Sequence, residues 1–157
     1  MTSIVEITDP AERSSLCRSI LADLPDWFGR PEATAAYVKA TVAMTTFAWE
    51  VDGLRAGFAS LSRPTWDTFD IHVMGVLRRH HGRGAGRVLV AACEGYVREA
   101  GATFLTVRTV GPSAPDPFYE RTRAFYHACG MAALAEFPDH WGPGTPMLLM
   151  GKIVEGG

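Results

Sequence analysis

The sequence has only three cysteines and no hydrophobic run that approaches the length of a membrane-spanning helix. Cys17, Cys93 and Cys129 are odd in number and far apart, so we expect reduced thiols, as in a cytoplasmic protein. A membrane helix needs about 20 consecutive apolar residues, so we expect no membrane partner. The stretch Met1–Thr8 has neither the basic region nor the apolar core of a secretory signal.

The chain also has little excess of either charge. Fifteen Lys and Arg residues stand against 17 Asp and Glu, a formal net charge of -2. Proteins that bind nucleic acid by neutralising phosphates are usually basic, so we expect no nucleic-acid partner. The histidines and cysteines have no convincing metal-ligand spacing, which predicts no metal site. The length of 157 residues, 47% of them hydrophobic, predicts a single soluble domain over 1–157.

Local patterns predict an α/β fold with a mixed sheet. Asp9-Pro10 is typical of a helix start. Asp52-Gly53 between two strand-like runs indicates a hairpin, and Pro64 is expected to break the chain after its second strand. The predicted strands are 3–8, 45–51, 54–61, 66–76, 103–110, 131–137 and 146–154, and the predicted helices begin near residues 10, 31, 84 and 118. Antiparallel pairing is expected first, with parallel pairing around the long helix that begins near residue 84.

One predicted strand, Trp66–Val76, carries two titratable side chains on the same face. Successive residues of a strand point to opposite sides. One face therefore holds Phe69, Ile71 and Val73, and the other holds Asp70, His72 and Met74. We expect Asp70 and His72 to lie side by side.

The connection after this strand, Leu77–Gly86, is basic and rich in glycine. Glycines let backbone N–H groups approach a bulky anion, and a helix N-terminus adds unpaired donors and partial positive charge. The residues concerned are Gly82, Gly84 and Gly86, with Arg79, Arg83 and Arg87 around them. The segment predicts a phosphate or pyrophosphate cradle, since a plain strand-to-helix turn does not require three glycines and three arginines.

Three kinds of cradle can be compared with this segment. A P-loop needs Lys and then Ser or Thr after its last glycine, whereas Arg87-Val88 follows here. A dinucleotide-binding loop needs a different glycine spacing and the first strand of a βαβ unit before it. The third kind is the acetyl-coenzyme A loop of the GNAT acetyltransferase superfamily, whose pattern is Gln or Arg, two residues, Gly, one residue, and Gly or Ala. The segment His81–Gly86 resembles that pattern, with His81 at the first position.

A second segment, Ala124–Met131, resembles the GNAT helix that ends in an aromatic residue, Tyr, three residues and Gly. The resemblance implies a central, mostly antiparallel sheet with a splayed parallel pair, flanked by about four helices, and acetyl-CoA as cosubstrate. It implies pairing of the pantetheine arm with the strand end at Met74, Gly75 and Val76. It also implies binding of the pyrophosphate by the N–H groups of Gly82, Arg83, Gly84, Ala85, Gly86 and Arg87, with His81 as a further cofactor-binding residue. Tyr119, where the family often has Asn, and Arg123 are placed near the cofactor.

The resemblance implies transfer of an acetyl group to an amine by direct attack in a ternary complex. Tyr126 is the candidate general acid for the leaving thiolate. Asp70 and His72 are the candidate bases, with Glu50 a weaker one. Small-molecule amines are the expected acceptors, with Trp27, Phe28 and Trp141 as the candidate substrate-binding residues.

Two other functions stay open on the sequence alone. One is a non-catalytic acyl-CoA-binding or sensor domain, which would keep the loop without turnover. The other is a protein-modifying acetyltransferase. The sequence specifies neither the acceptor nor the oligomeric state, and a homodimer is one alternative.

Overall fold

A computed structural model describes residues 1–156 of the chain. Its elements follow the predicted order. They are β1 (Thr2–Ile7), α1 (Pro10–Ala22), α2 (Pro31–Thr41), β2 (Thr45–Val51), β3 (Leu54–Thr65), β4 (Thr68–Val76), α3 (Ala85–Glu99), β5 (Phe104–Val110), α4 (Pro117–Ala128), β6 (Ala132–Phe137) and β7 (Met147–Ile153), with a 3₁₀ turn at Arg78–His80. No helix within the described range is long and apolar enough to cross a membrane.

The seven strands form one mixed sheet in the order β1-β2-β3-β4-β5-β7-β6. The pairs β1·β2, β2·β3, β5·β7 and β6·β7 are antiparallel, and one pair in the sheet is parallel. The predicted fold class, a mostly antiparallel mixed sheet with four flanking helices, is confirmed. The splay of the parallel pair stays a prediction.

Two compact units can be distinguished, and the prediction of a single domain stays a prediction. The first unit comprises residues 1–62 and 71–96. Its core is formed where α1 and α2 pack together and against the strands, because both helices present apolar residues at helical spacing. The buried core residues are Ile7, Leu16, Cys17, Ile20, Leu21, Leu24, Val38, Ala48, Phe58 and Val73. As predicted, Asp9 caps α1 by accepting a hydrogen bond from the Glu12 N–H at 2.9 Å.

Glycine brings β4 close to its neighbours in this unit. A Cβ on Gly75 would lie 3.1 Å from both Ile20 Cγ2 of α1 and Leu24 Cδ1, just after that helix. A Cβ on Gly57 would lie 3.2 Å from Val76 Cγ2. These contacts are tighter than ordinary packing, so the close approach of α1 to the end of β4 requires glycine.

The second unit comprises residues 63–70 and the described residues from Val97 onward. In it β5 pairs with β7 over its whole length, and α4 contacts β5. Along β5, Leu105, Val107 and Thr109 are buried, whereas Phe104 and Arg108 are exposed. One face of β5 is therefore packed, and the other is accessible.

The turn chemistry was predicted correctly, whereas the role of Pro64 was not. Asp52 and Gly53 adopt φ values of 48° and 82°, as the hairpin signal requires. Pro64, expected to break the chain, lies inside β3, which continues to Thr65. The pairing of β3 with β2 ends at Leu61, so the missing N–H of Pro64 removes no hydrogen bond from that ladder.

Candidate functional site

The connection between β4 and α3 exposes a series of backbone donors. After the 3₁₀ turn, Gly82 and Gly84 adopt φ values of +80° and +79°, which glycine reaches without strain. The carbonyl of Gly84 accepts from the Val88 N–H at 3.2 Å, so the hydrogen-bonded helix begins there. The N–H groups of residues 82–87 have no hydrogen-bond partner among residues 1–156. Unpaired donors at the start of a 15-residue helix are an arrangement that generally favours an anion.

The loop between α1 and α2 holds this connection in place. The Arg78 backbone N–H donates to Asp23 Oδ2 at 2.7 Å, and its guanidinium pairs with Asp26 Oδ2 at 2.6 Å. The ring of Trp27 lies under the Arg78 guanidinium at 5.7 Å and edge-on to His81 at 5.8 Å. Trp27, predicted to bind the acceptor, is thus in contact with the β4–α3 connection.

His81 closes the connection onto the end of β4. Its Nε2 lies 2.7 Å from the Val76 carbonyl oxygen. A carbonyl can only accept, so this nitrogen carries the proton. Met74 and Val76 are half-buried and Gly75 is buried, so the end of β4 that leads into the connection is well packed.

His80 lies between two arginines. Arg79 Nε is 3.3 Å from its Nε2, and Arg83 NH1 is 3.2 Å from its Nδ1. Desolvation, with the charges of Arg83 and Arg79, holds the pKa of His80 below its ordinary value of 6.5. A neutral imidazole has one acceptor nitrogen, so it cannot satisfy both guanidinium groups at once. The cluster has positive charge to spare for an anion.

His72 and Phe28 both contact the ring of Tyr37 of α2. The Tyr37 ring is edge-on to His72 at 5.3 Å and to Phe28 at 5.9 Å. His72 is half-buried. Phe28 also lines a groove of about 650 Å³ between α1 and α2, whose wall includes the cations Arg18 and Lys39.

Asp70 belongs to the second unit and is 2% exposed. Its Oδ1 accepts from the Thr106 hydroxyl at 2.7 Å. Its Oδ2 lies 3.5 Å from Arg108 NH2. Both carboxylate oxygens are therefore engaged by β5, and the sequence pattern of β4 gave no sign of either partner.

The predicted catalytic residue Tyr126 and the predicted cofactor residues Tyr119 and Arg123, all on α4, lie in the same unit. Tyr126 is buried, and its ring contacts Phe125 at a centroid distance of 5.2 Å. Arg123 donates to the Val110 carbonyl at 2.7 Å, and Tyr119 is half-buried. These contacts tie α4 to the end of β5.

Two further features of this unit concern Thr109 and Trp141. Thr109 Oγ1, on the packed side of β5, is the buried side-chain polar atom without a hydrogen-bond partner in the described structure. Sequence reasoning missed it, because a threonine in a strand carries no signal of its own. Trp141 is 38% exposed and stacks edge-on with His140 at 5.6 Å in the β6–β7 connection.

No group of three or more His, Cys, Asp or Glu side chains in residues 1–156 is arranged to hold a metal ion. Among the cysteines, burial raises the pKa of the Cys17 thiol to about 11 and that of Cys93 to about 12. Both are therefore poor nucleophiles, because the thiolate is the reactive form.

The model of the acetyltransferase (GNAT) family matches residues 13–131, and the chain belongs to this family. The match includes both segments that carried the resemblance. A search of curated proteins finds no significant match.

Solved structures share the fold over the whole chain. A protein described as a GNAT-family acetyltransferase from Desulfovibrio desulfuricans has a TM-score of 0.83 at 20% identity, covering 99% of this chain and 100% of that one. An aminoglycoside 6'-acetyltransferase type Ii has a TM-score of 0.77 at 18% identity, covering 98% and 97%. An aminoglycoside 6'-N-acetyltransferase complexed with coenzyme A has a TM-score of 0.74 at 17% identity, again covering 98% and 97%.

Proposed function

We propose that this protein is an acetyl-CoA-dependent N-acetyltransferase for small amines. The observation that carries the proposal is the row of unpaired N–H groups at residues 82–87, opened by two glycines at positive φ. Backbone donors at a helix start favour a pyrophosphate, which carries charge and many acceptor oxygens. The family membership indicates which pyrophosphate-bearing molecule is meant.

The residues present fit coenzyme A. A Cβ on Gly82 or Gly84 would meet no atom within 4 Å, so the space beside the loop backbone is open at these two residues. The excess positive charge around His80 supports phosphate binding.

Acetyl-CoA supplies an activated acyl group, and the chain supplies the proton transfers. The acceptor nitrogen attacks the thioester carbonyl carbon, and the carbon–sulfur bond breaks. We assign Tyr126 as the acid whose hydroxyl protonates the departing sulfur, a step general acids speed by 10²- to 10⁴-fold in typical enzymes. His72 is assigned as the base that takes the amine proton, because Asp70 is buried and has both oxygens engaged.

The test combines binding with turnover. Calorimetry with coenzyme A measures the cradle, and release of free thiol from acetyl-CoA with a panel of amines, amino acids, aminoglycosides and peptides measures transfer. We expect binding together with amine-dependent thiol release. Binding without transfer to any amine would favour the sensor function, and absence of binding would overturn the proposal. Acetylation confined to protein or peptide amines would instead identify a protein-modifying enzyme.

A further inference from the structure

A buried carboxylate holds an exposed arginine on β5. Asp70 is 2% exposed and is engaged by Thr106 at 2.7 Å and by Arg108 at 3.5 Å. The Arg108 side chain is 41% exposed. Thr106 and Arg108 are two residues apart on a strand, so they share a face. Asp70 is therefore the buried centre of a small network with Thr106 and Arg108, and the Arg108 guanidinium is its exposed end.

The pair is poorly explained as a device for stability. Burying a carboxylate costs free energy that a single ion pair rarely repays, and an apolar pair of the same volume is often as stable. The distance of 3.5 Å is also long for a charge-assisted hydrogen bond. What the pair does achieve is orientation, because the fixed charge of Asp70 restricts where the Arg108 guanidinium can lie.

Most of the donors of Arg108 remain available. A guanidinium has five N–H donors in a planar fork that matches a carboxylate. Apart from the contact with Asp70, Arg108 has no hydrogen bond or ion pair to any residue in the described range 1–156. It lies on the accessible face of β5, opposite Leu149 of β7, where a half-buried apolar side chain reduces competition from water.

We propose that Arg108 binds the carboxylate of the acceptor, so that the acceptors are amino acids or other amines that carry a carboxylate. This inference rests on the proposed function and deepens it. Asp70 is then a positioning residue that acts through Arg108. The charge balance supports a zwitterion, because Asp70 offsets only part of the Arg108 charge, and one carboxylate of the ligand balances the remainder. A polycationic amine would instead meet a guanidinium of like charge.

The choice of a carboxylate over a phosphate follows from the same balance. A phosphate monoester carries close to two negative charges near pH 7. Arg108 offers one positive charge, which Asp70 already offsets in part. Phosphorylated amines are included in the test as a separate arm, and their preference over carboxylates would overturn the assignment of the ligand.

The first test compares matched acceptors on the wild-type enzyme. Each amino acid of a panel is assayed beside its amide and its decarboxylated amine by thiol release from acetyl-CoA. We expect kcat/KM to be roughly 10- to 100-fold higher for the carboxylate form, the range of a hydrogen bond to a charged group. Equal rates for acid, amide and amine, with transfer intact, would overturn this inference and leave the proposed function standing.

Variants separate binding from positioning. Arg108→Gln should raise KM for the amino acid by roughly 10- to 100-fold with little change in kcat, and leave the amide unaffected; Arg108→Lys should recover part of the loss. The matched control is Arg98→Gln, which removes another exposed arginine. Asp70→Asn should reduce the preference for the acid over the amide in the wild-type background. It should have no further effect on that preference in the Arg108→Gln background.

A direct binding measurement does not depend on turnover. The Nε–H signal of Arg108 in an ¹⁵N-labelled protein is assigned from its loss in Arg108→Lys. N-acetylglutamate and N-acetylglycine, with their amides as controls, are the titrants. Saturable movement of this signal with the acids alone supports the proposal. No movement at millimolar acid overturns it, whether or not any amine is acetylated. If coenzyme A itself fails to bind, the proposed function fails separately.

Discussion

The His81 ring donates from Nε2 to the carbonyl oxygen of Val76 over 2.7 Å. This contact joins the last residue of β4 to the residue that precedes the first glycine of the cradle. It closes the loop 77–80 between these two residues, and Asp23 accepts a hydrogen bond from the Arg78 N–H at the start of the 3₁₀ turn. The backbone just before the N–H donors of residues 82–87 is thus held in place.

Removing this contact should weaken coenzyme A binding without unfolding the protein. The net value of a hydrogen bond is about 0.5–1.5 kcal/mol, so His81→Ala should lower the affinity for coenzyme A roughly two- to tenfold. His81→Gln keeps an N–H donor and should lose less. Calorimetry on the three proteins checks the order. Equal affinity in a folded His81→Ala protein would show that the loop holds its shape without the ring.

The cradle glycines can be tested with a matched pair. Gly84 and Gly53 have φ values of +79° and +82°, and a Cβ on either would meet nothing within 4 Å. Valine is strained at both positions, so both variants should lose stability. Only Gly84→Val should place a side chain in front of the donors and lower coenzyme A affinity at least tenfold, about 1.4 kcal/mol. Comparable loss of affinity in Gly53→Val would mean that strain, and not crowding, is responsible.

The lowered pKa of His80 predicts a pH-dependent affinity. In the free protein burial and the two arginines favour the neutral imidazole. A bound pyrophosphate offsets the arginine charges, which raises the pKa and favours proton uptake. The affinity for coenzyme A should therefore increase as the pH is lowered below 6.5, and this increase should be reversed when the pH is raised. Dephospho-coenzyme A is the ligand to use, because it lacks the titrating 3'-phosphate.

The control for this effect is His80→Gln, which has no titrating ring. Calorimetry in buffers of different ionisation enthalpy counts the protons taken up on binding. The wild-type protein should take up a fraction of a proton near pH 6 that the variant does not. The same proton uptake in both proteins would contradict the prediction.

Tyr126→Phe separates a catalytic tyrosine from a packing one. Phe keeps the ring contact with Phe125, so the melting temperature should hold. If the hydroxyl protonates the leaving sulfur, kcat should fall roughly 10²-fold while the KM for acetyl-CoA moves little. Tyr96→Phe removes a hydroxyl that Thr45 contacts and should leave turnover unchanged. Wild-type turnover in a stable Tyr126→Phe protein would end the catalytic assignment.

The cysteine thiols should take no part in acetyl transfer. Cys17 and Cys93 are buried and have pKa values of about 11 and 12, so neither should react quickly with a thiol reagent in the native protein. Cys129 is half-buried and should account for the fast-reacting thiol. Activity should survive both EDTA and a mild reductant. Loss of activity with either would indicate a metal or a disulfide.

The parts of the fold that sequence predicts well are those set by local chemistry. Asp9-Pro10 starts a helix and Asp52-Gly53 turns a hairpin because the capping oxygen and the permitted φ belong to the residues themselves. Pro64 was misjudged because its effect depends on whether a neighbouring strand needs its N–H, which is a question of pairing. The observed ends of the helices and strands differ from the predicted ends by only a few residues, because local chemistry sets most of these ends.

The candidate site shows the same division. The glycine positions of the cradle are local and could be read from the sequence. The partners of Asp70 could not, since Thr106 and Arg108 lie on another strand, 36 and 38 residues away. Alternation on β4 puts Phe69, Ile71 and Val73 on one face, and all three are buried. It cannot tell that Asp70 is buried too, because burial of a charge depends on a partner from elsewhere.

The packing of Gly75 against Ile20 and Leu24 has a consequence for how mutations in this chain are interpreted. Helix α1 supports the strand end on one side, and the residues just after it, Asp23 and Asp26, hold Arg78 on the other. A cavity made at Ile20 would therefore remove support from the strand end that leads into the cradle. In a deep mutational scan scored on growth, we expect the inner face of α1 to tolerate as little change as the glycine loop, although α1 itself contributes none of the donors at residues 82–87.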